Sequence, residues 1–153
     1  MPERHITVKR HLSASTASAW ALFADFPNLA SHWGGLRATS AIGDQTIGVG
    51  ARRRVELKPM GSMDETVTVW EDGHRIDTEN RPSASVPFKH AESTLTLEPD
   101  EAGTWATFDY RYVPRGGPLG RLTGPLIDKM LTATFTDMLT ATGEAALGTG
   151  SET

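Results

Sequence analysis

The feature that most constrains this chain lies near its C-terminal end. From about Leu119 to Leu147, apolar and small residues recur at helical spacing. Ile127, Leu131, Thr134, Phe135, Met138, Thr142 and Ala145 project on one broad face, and Lys129, Thr132, Thr136 and Thr140 on the other. A helix of about 28 residues is roughly 40 Å long at 1.5 Å per residue. A helix with one apolar face must lie against another layer to bury it, and this one is long enough to cross a whole sheet. An irregularity is expected at Gly124-Pro125, where the ring of Pro125 interrupts the pattern.

The rest of the chain supplies that layer. His5 to Leu12 alternates, with Ile6, Val8, Arg10 and Leu12 on one side, which predicts a strand. Ser15 is a good N-cap for a short helix carrying Trp20, Phe23, Ala24 and Phe26, and Pro27 stops it. A second helical piece, about Leu29 to Trp33, ends at Gly34-Gly35. From there to Pro114 the punctuation is that of a β-meander: Gly43-Asp44, Gly48, Gly50, Pro59 to Gly61, Asp72-Gly73, and Asp100 to Gly103. Six strands are predicted between these marks, at about Leu36–Ile42, Ala51–Leu57, Glu65–Trp70, Arg75–Glu79, Phe88–Glu98 and Thr104–Val113. Asp72-Gly73 reads as a tight primed hairpin turn. With the first strand this makes an α+β chain: a curved seven-stranded antiparallel sheet, two short helices after strand 1, and a long helix over the concave face. Residues 1–147 form one domain in this reading, and the small polar stretch 148–153 a flexible tail.

Composition narrows the function. With 15 basic and 19 acidic side chains the chain carries a formal charge of minus 4, which offers no cationic field for a nucleic acid. The absence of cysteine excludes disulfides, thiolate nucleophiles and Cys-ligated metals. No run approaches the roughly 18 apolar residues of a membrane span, and no signal-peptide core follows Met1 to Lys9. Cytoplasmic residence, as a monomer or homodimer, is the expectation. His5, His11, His32, His74 and His90 have no metal-ligand spacing, and no P-loop, dinucleotide fingerprint or nucleophile elbow occurs. Neither metal nor cofactor is expected.

The stretches Ser15 to Gly35 (STASAWALFADFPNLASHWGG), Val49 to Val55 (VGARRRV), Glu65 to Ile76 (ETVTVWEDGHRI), Gly103 to Phe108 (GTWATF) and Val113 onward (VPRGGPLGRL) follow one another in a telling order. In that order the chain resembles the START-like SRPBCC superfamily of polyketide cyclase/dehydrase and lipid-transport proteins, which includes the birch-pollen-allergen type. The resemblance implies a helix-grip fold with a cavity between sheet and helix. It implies use of that cavity for hydrophobic ligands or, in some members, for polyketide ring closure and dehydration. It carries over no fixed catalytic set.

Alternation assigns the walls of such a cavity. Arg53, Val55 and Leu57 share one strand face, Glu65, Val67 and Val69 another, Ala91, Ser93, Leu95 and Leu97 a third, and Ala106, Phe108, Tyr110 and Tyr112 a fourth. With Trp33 and the helical Leu131, Phe135 and Met138, the candidate ligand-binding set is Trp33, Arg53, Val55, Leu57, Glu65, Val67, Ser93, Leu95, Phe108, Tyr110, Tyr112, Leu131, Phe135 and Met138. Trp33 is expected at the entrance with Met60 and Met63, and His32 and His90 are candidates for the rim. Arg53 and Glu65 either orient a ligand or pair with each other across adjacent strands, and the tyrosines either face the ligand or turn their hydroxyls to the rim. Two functional classes stay open. In one, the chain binds a polyketide- or lipid-like molecule. In the other it is a cyclase or dehydratase in which a desolvated Glu65 acts as base and Tyr110 donates a hydrogen bond to an enolate oxygen.

Overall fold

The structure, a computed structural model, describes residues 3–116 and 120–150. Strand β1 (Arg4–Leu12) leads into helix α1 (Thr16–Ala24) and a 3-10 segment (Phe26–Ser31). Six strands follow: β2 (Leu36–Ile42), β3 (Arg52–Leu57), β4 (Ser62–Glu71), β5 (Arg75–Pro82), β6 (Phe88–Asp100) and β7 (Gly103–Pro114); helix α2 (Gly120–Gly150) ends the chain. The sheet order is β1-β7-β6-β5-β4-β3-β2, antiparallel throughout. This is the seven-stranded α+β architecture predicted. Short turns make consecutive strands neighbours, and β1 closes on β7 because α1 and the 3-10 segment carry the chain from one sheet edge to the other.

Local signals explain the element ends. The Ser15 side chain accepts the backbone N–H of Ser18 at 3.1 Å and so caps α1. Gly103, at φ +143°, lies where a Cβ would sit 2.1 Å from the Leu12 carbonyl oxygen, so only glycine lets β7 begin beside the end of β1. Two expectations are corrected. The Asp72-Gly73 turn is a three-residue connection, because Glu71 pairs with Arg75 and His74 donates back to the Glu71 carbonyl. A bulge between Val67 and Val69 resets the alternation of β4, so Val69 leaves the face it was assigned. Trp70 instead meets Trp20 of α1 edge to face, with ring centroids 5.4 Å apart. Helix α2 carries Pro125 within it and extends to Gly150.

The core lies between the sheet's inner face and the helices. Leu97, Ala106, Tyr110 and Tyr112 are buried from β6 and β7, with Ile127, Leu131, Met138, Leu139 and Ala146 from α2. Leu139 and Ala146 lie off the apolar face read from the sequence, because α2 is also flanked by α1. The helix rests on β1, β7 and α1 rather than on the middle of the sheet. Gly143 makes the close approach at β1, where a Cβ would come within 2.8 Å of the Leu12 side chain. Near its other end Asp128 pairs with Arg4 of β1 at 2.5 Å, and Tyr112 donates to the same carboxylate. These contacts hold α2 over one side of the sheet and leave a gap over β3 to β6.

Candidate functional site

That gap is a cavity of about 370 Å³. Its volume corresponds to about a dozen waters at liquid density. The walls come from the inner faces of β3, β4, β6 and β7, from the 3-10 segment and its exit, and from α2. Eleven of the fourteen predicted residues line it: Trp33, Arg53, Val55, Leu57, Glu65, Ser93, Phe108, Tyr110, Leu131, Phe135 and Met138. A smaller pocket of about 30 Å³ adjoins it, shares Arg53, Ser93, Phe108 and Met138, and takes in Leu95.

The other two predicted residues are elsewhere. Val67 is buried in the core and lines neither space. The Tyr112 hydroxyl sits between the Asp128 carboxylate and the Gly124 carbonyl, so this residue fastens the sheet to α2 instead of facing the cavity. Neither rim histidine lies at the cavity. His32 Nε2 is 2.9 Å from Thr142 Oγ1 on α2, and His90 is 3.7 Å from Glu79. Among the described residues no three His, Asp or Glu side chains are grouped to hold a metal ion.

Several lining residues escaped the sequence reading. Lys58, Pro59, Ser85, Val86 and Pro87 belong to the β3–β4 and β5–β6 connections, and Phe88 begins β6. Loop residues have no alternation to assign them a side. The mouth forms here, since Met60 and Met130 line the cavity while remaining 63% and 49% exposed. Trp33, in contrast, is buried, and its indole N–H donates to Asp137 Oδ2 at 2.8 Å, tying the wall to α2. Met60 and Met63 line the cavity with it, but Met63 lies deep rather than at the entrance.

Inside the mouth, one largely buried charged pair interrupts the mostly apolar lining. Arg53 Nη2 and Nε lie 2.6 and 2.7 Å from Glu65 Oε1, Nη1 donates to the Phe26 carbonyl at 2.8 Å, and the guanidinium stacks 3.9 Å from the Phe26 ring centre. The cross-strand pairing reading of these two residues is therefore the one the geometry takes, and Glu65 is not a lone desolvated carboxyl. Its second oxygen takes no hydrogen bond from the described residues. Tyr110 stands nearby with its hydroxyl donating to Met63 sulfur at 3.6 Å. Burial pushes this phenol well above its ordinary pKa, and the Glu65 carboxylate adds to the rise, so it stays a proton donor near neutrality. Around it Phe135 packs at a tilt against both Phe108 and Tyr110, with 4.7 Å between centroids in each pair, and Phe108 and Tyr110 stack at 6.0 Å. Beside Glu65 in register, the Asn80 amide is fully buried near the Tyr110 hydroxyl, where it offsets part of the rise in that phenol's pKa, without a well-formed hydrogen bond to either of its polar atoms among the described residues.

The helix-over-sheet arrangement recurs in solved structures of low sequence identity. The aromatase/cyclase Zhui from Streptomyces sp. R1128 superposes with a TM-score of 0.77 at 12% identity, covering 95% of this chain and 96% of its own. TTHA0849 from Thermus thermophilus gives 0.76 at 18% identity, with 95% and 99% covered. Ara h 8.0201 gives 0.71 at 9% identity, with 96% and 99% covered. These likenesses show the fold. No curated protein matches the chain by sequence. The sequence profile of the family described as polyketide cyclase / dehydrase and lipid transport matches residues 3–146, and the chain belongs to that family.

Proposed function

We propose that this protein binds a hydrophobic small molecule, polyketide- or lipid-like, in the cavity between the sheet and α2. The observation that carries this reading is the cavity of about 370 Å³, which the inward side chains leave unfilled and which reaches the surface beside Met60 and Met130. Apolar walls supply most of the binding free energy, at roughly 25 cal/mol per Å² removed from water, and a few polar groups orient the ligand. Native mass spectrometry of the purified protein tests it. A co-purifying apolar molecule, or displacement of an environment-sensitive dye by apolar compounds, is the expected result. A protein that takes up neither ends the proposal.

A second reading, a polyketide cyclase or dehydratase acting in the same cavity, is favoured by one observation: Arg53, Glu65 and Tyr110 all border this one space. In that reading Glu65 Oε2 accepts a proton from the substrate and Tyr110 donates a hydrogen bond to the resulting enolate oxygen. Unchanged turnover of a true substrate after Glu65→Gln would remove Glu65 from that role.

A further inference from the structure

Resting on the binding reading above, we infer that Glu65 is the specificity-determining residue of the cavity and that it selects a neutral molecule bearing a hydroxyl over one bearing a carboxylate. Arg53 directs Nε and Nη2 to Glu65 Oε1 and Nη1 to a backbone carbonyl. Its charge is answered inside the protein, so it is committed before a ligand arrives. Glu65 Oε2 has no such partner among the described residues, and Glu65 lines the cavity. An ionised carboxylate offers only acceptor sites, so the group that satisfies Oε2 is a ligand hydroxyl or another neutral donor. A ligand carboxylate would bring a second negative charge to a poorly solvated oxygen, with Arg53 already paired and the other lining cation, Lys58, exposed at the mouth and donating to the Gly34 carbonyl. The Tyr110 hydroxyl supplies the complementary donor, since its present acceptor is a thioether sulfur at 3.6 Å, a weak partner that a ligand oxygen replaces readily. Phe108, Tyr110 and Phe135 give the same region an aromatic wall, which suits a flat ring system behind that hydroxyl.

The test uses three fluorescent probes of one shape: 9-phenanthrol, phenanthrene and phenanthrene-9-carboxylate, titrated into the intact protein near pH 7. The expected order is phenanthrol tightest, by roughly tenfold or more over phenanthrene, as a hydrogen bond to a charged group supplies. The carboxylate is expected to be weakest. In Glu65→Gln the phenanthrol advantage falls to within about threefold of phenanthrene. The carboxylate, now facing an unpaired Arg53, gains roughly tenfold or more. The double variant Arg53→Met/Glu65→Gln, which leaves no orphaned charge, is expected to bind phenanthrol and phenanthrene alike and to serve if the single variant does not fold. Equal affinity of the wild type for all three probes, or preference for the carboxylate, overturns the specificity inference while leaving the binding proposal standing. A folded wild type that binds none of them overturns the binding proposal itself.

Discussion

Arg53 and Glu65 stand opposite each other on β3 and β4, with the guanidinium 2.6 Å from the carboxylate, on a mostly apolar cavity wall. Their side chains are 14% and 10% exposed, so removing one leaves the other as a desolvated, unanswered charge. Glu65→Leu is expected to lower stability by about 3 kcal/mol, whereas Arg53→Met/Glu65→Leu recovers most of that loss. Urea midpoints of the three proteins, compared at constant m-value, check it.

Filling the cavity separates its role from that of the core. Leu131 lines it from α2, and a tryptophan there has space to extend into. Leu131→Trp is expected to cut uptake of an apolar dye at least tenfold while the thermal midpoint holds within a few degrees, because the added ring packs into a void rather than against filled core. A large drop in midpoint with dye uptake intact would contradict this placement.

The seam between α2 and β1 depends on Gly143. A Cβ there meets the end of the Leu12 side chain, itself buried, at 2.8 Å. Gly143→Ala trades that contact against a helix-propensity gain of about 1 kcal/mol and is expected to be near neutral. Gly143→Val adds branching that Leu12 cannot accommodate and is expected to cost about 2 kcal/mol. Chemical denaturation of both variants distinguishes them.

Burial holds the pKa of His32 below its usual 6.5, with Arg53 adding to the drop and Asp25 opposing it. The Thr142 hydroxyl gives its proton to the Met138 carbonyl, so His32 Nε2 donates to Thr142. The unfolded chain therefore takes up a proton at a higher pH than the folded one. Stability contributed by this residue is full above pH 6.5 and declines as pH falls from there toward the folded-state value. His32→Gln keeps a donor for Thr142 and removes the titration. Its stability is expected to fall less than that of the wild type between pH 7.5 and pH 5.5 in parallel urea titrations.

The strands were legible because their alternation and their Gly and Asp turns are local properties of the chain. Arg53, Glu65, Ser93, Phe108 and Tyr110 could be placed on the inner face for the same reason, since a regular strand sends every second side chain to one side. Val69 broke the pattern at a bulge, where an inserted residue resets the period and only the partner strand reveals it. Lys58, Ser85 and Pro87 had no period to read, and their place at the mouth follows from which connections end up at the same side of the sheet.

What the sequence determined alone was therefore the long one-sided helix, the meander before it, and which strand residues turn inward, all set by spacing over a few neighbours. Whether the space under that helix is filled was decided by tertiary structure. The Arg4–Asp128–Tyr112 cluster, the Leu12–Gly143 approach and the Trp33–Asp137 bond seat α2 on β1, β7 and the 3-10 exit. Residues far apart in the chain make these contacts, and they hold the helix clear of the middle strands, leaving the cavity beneath it.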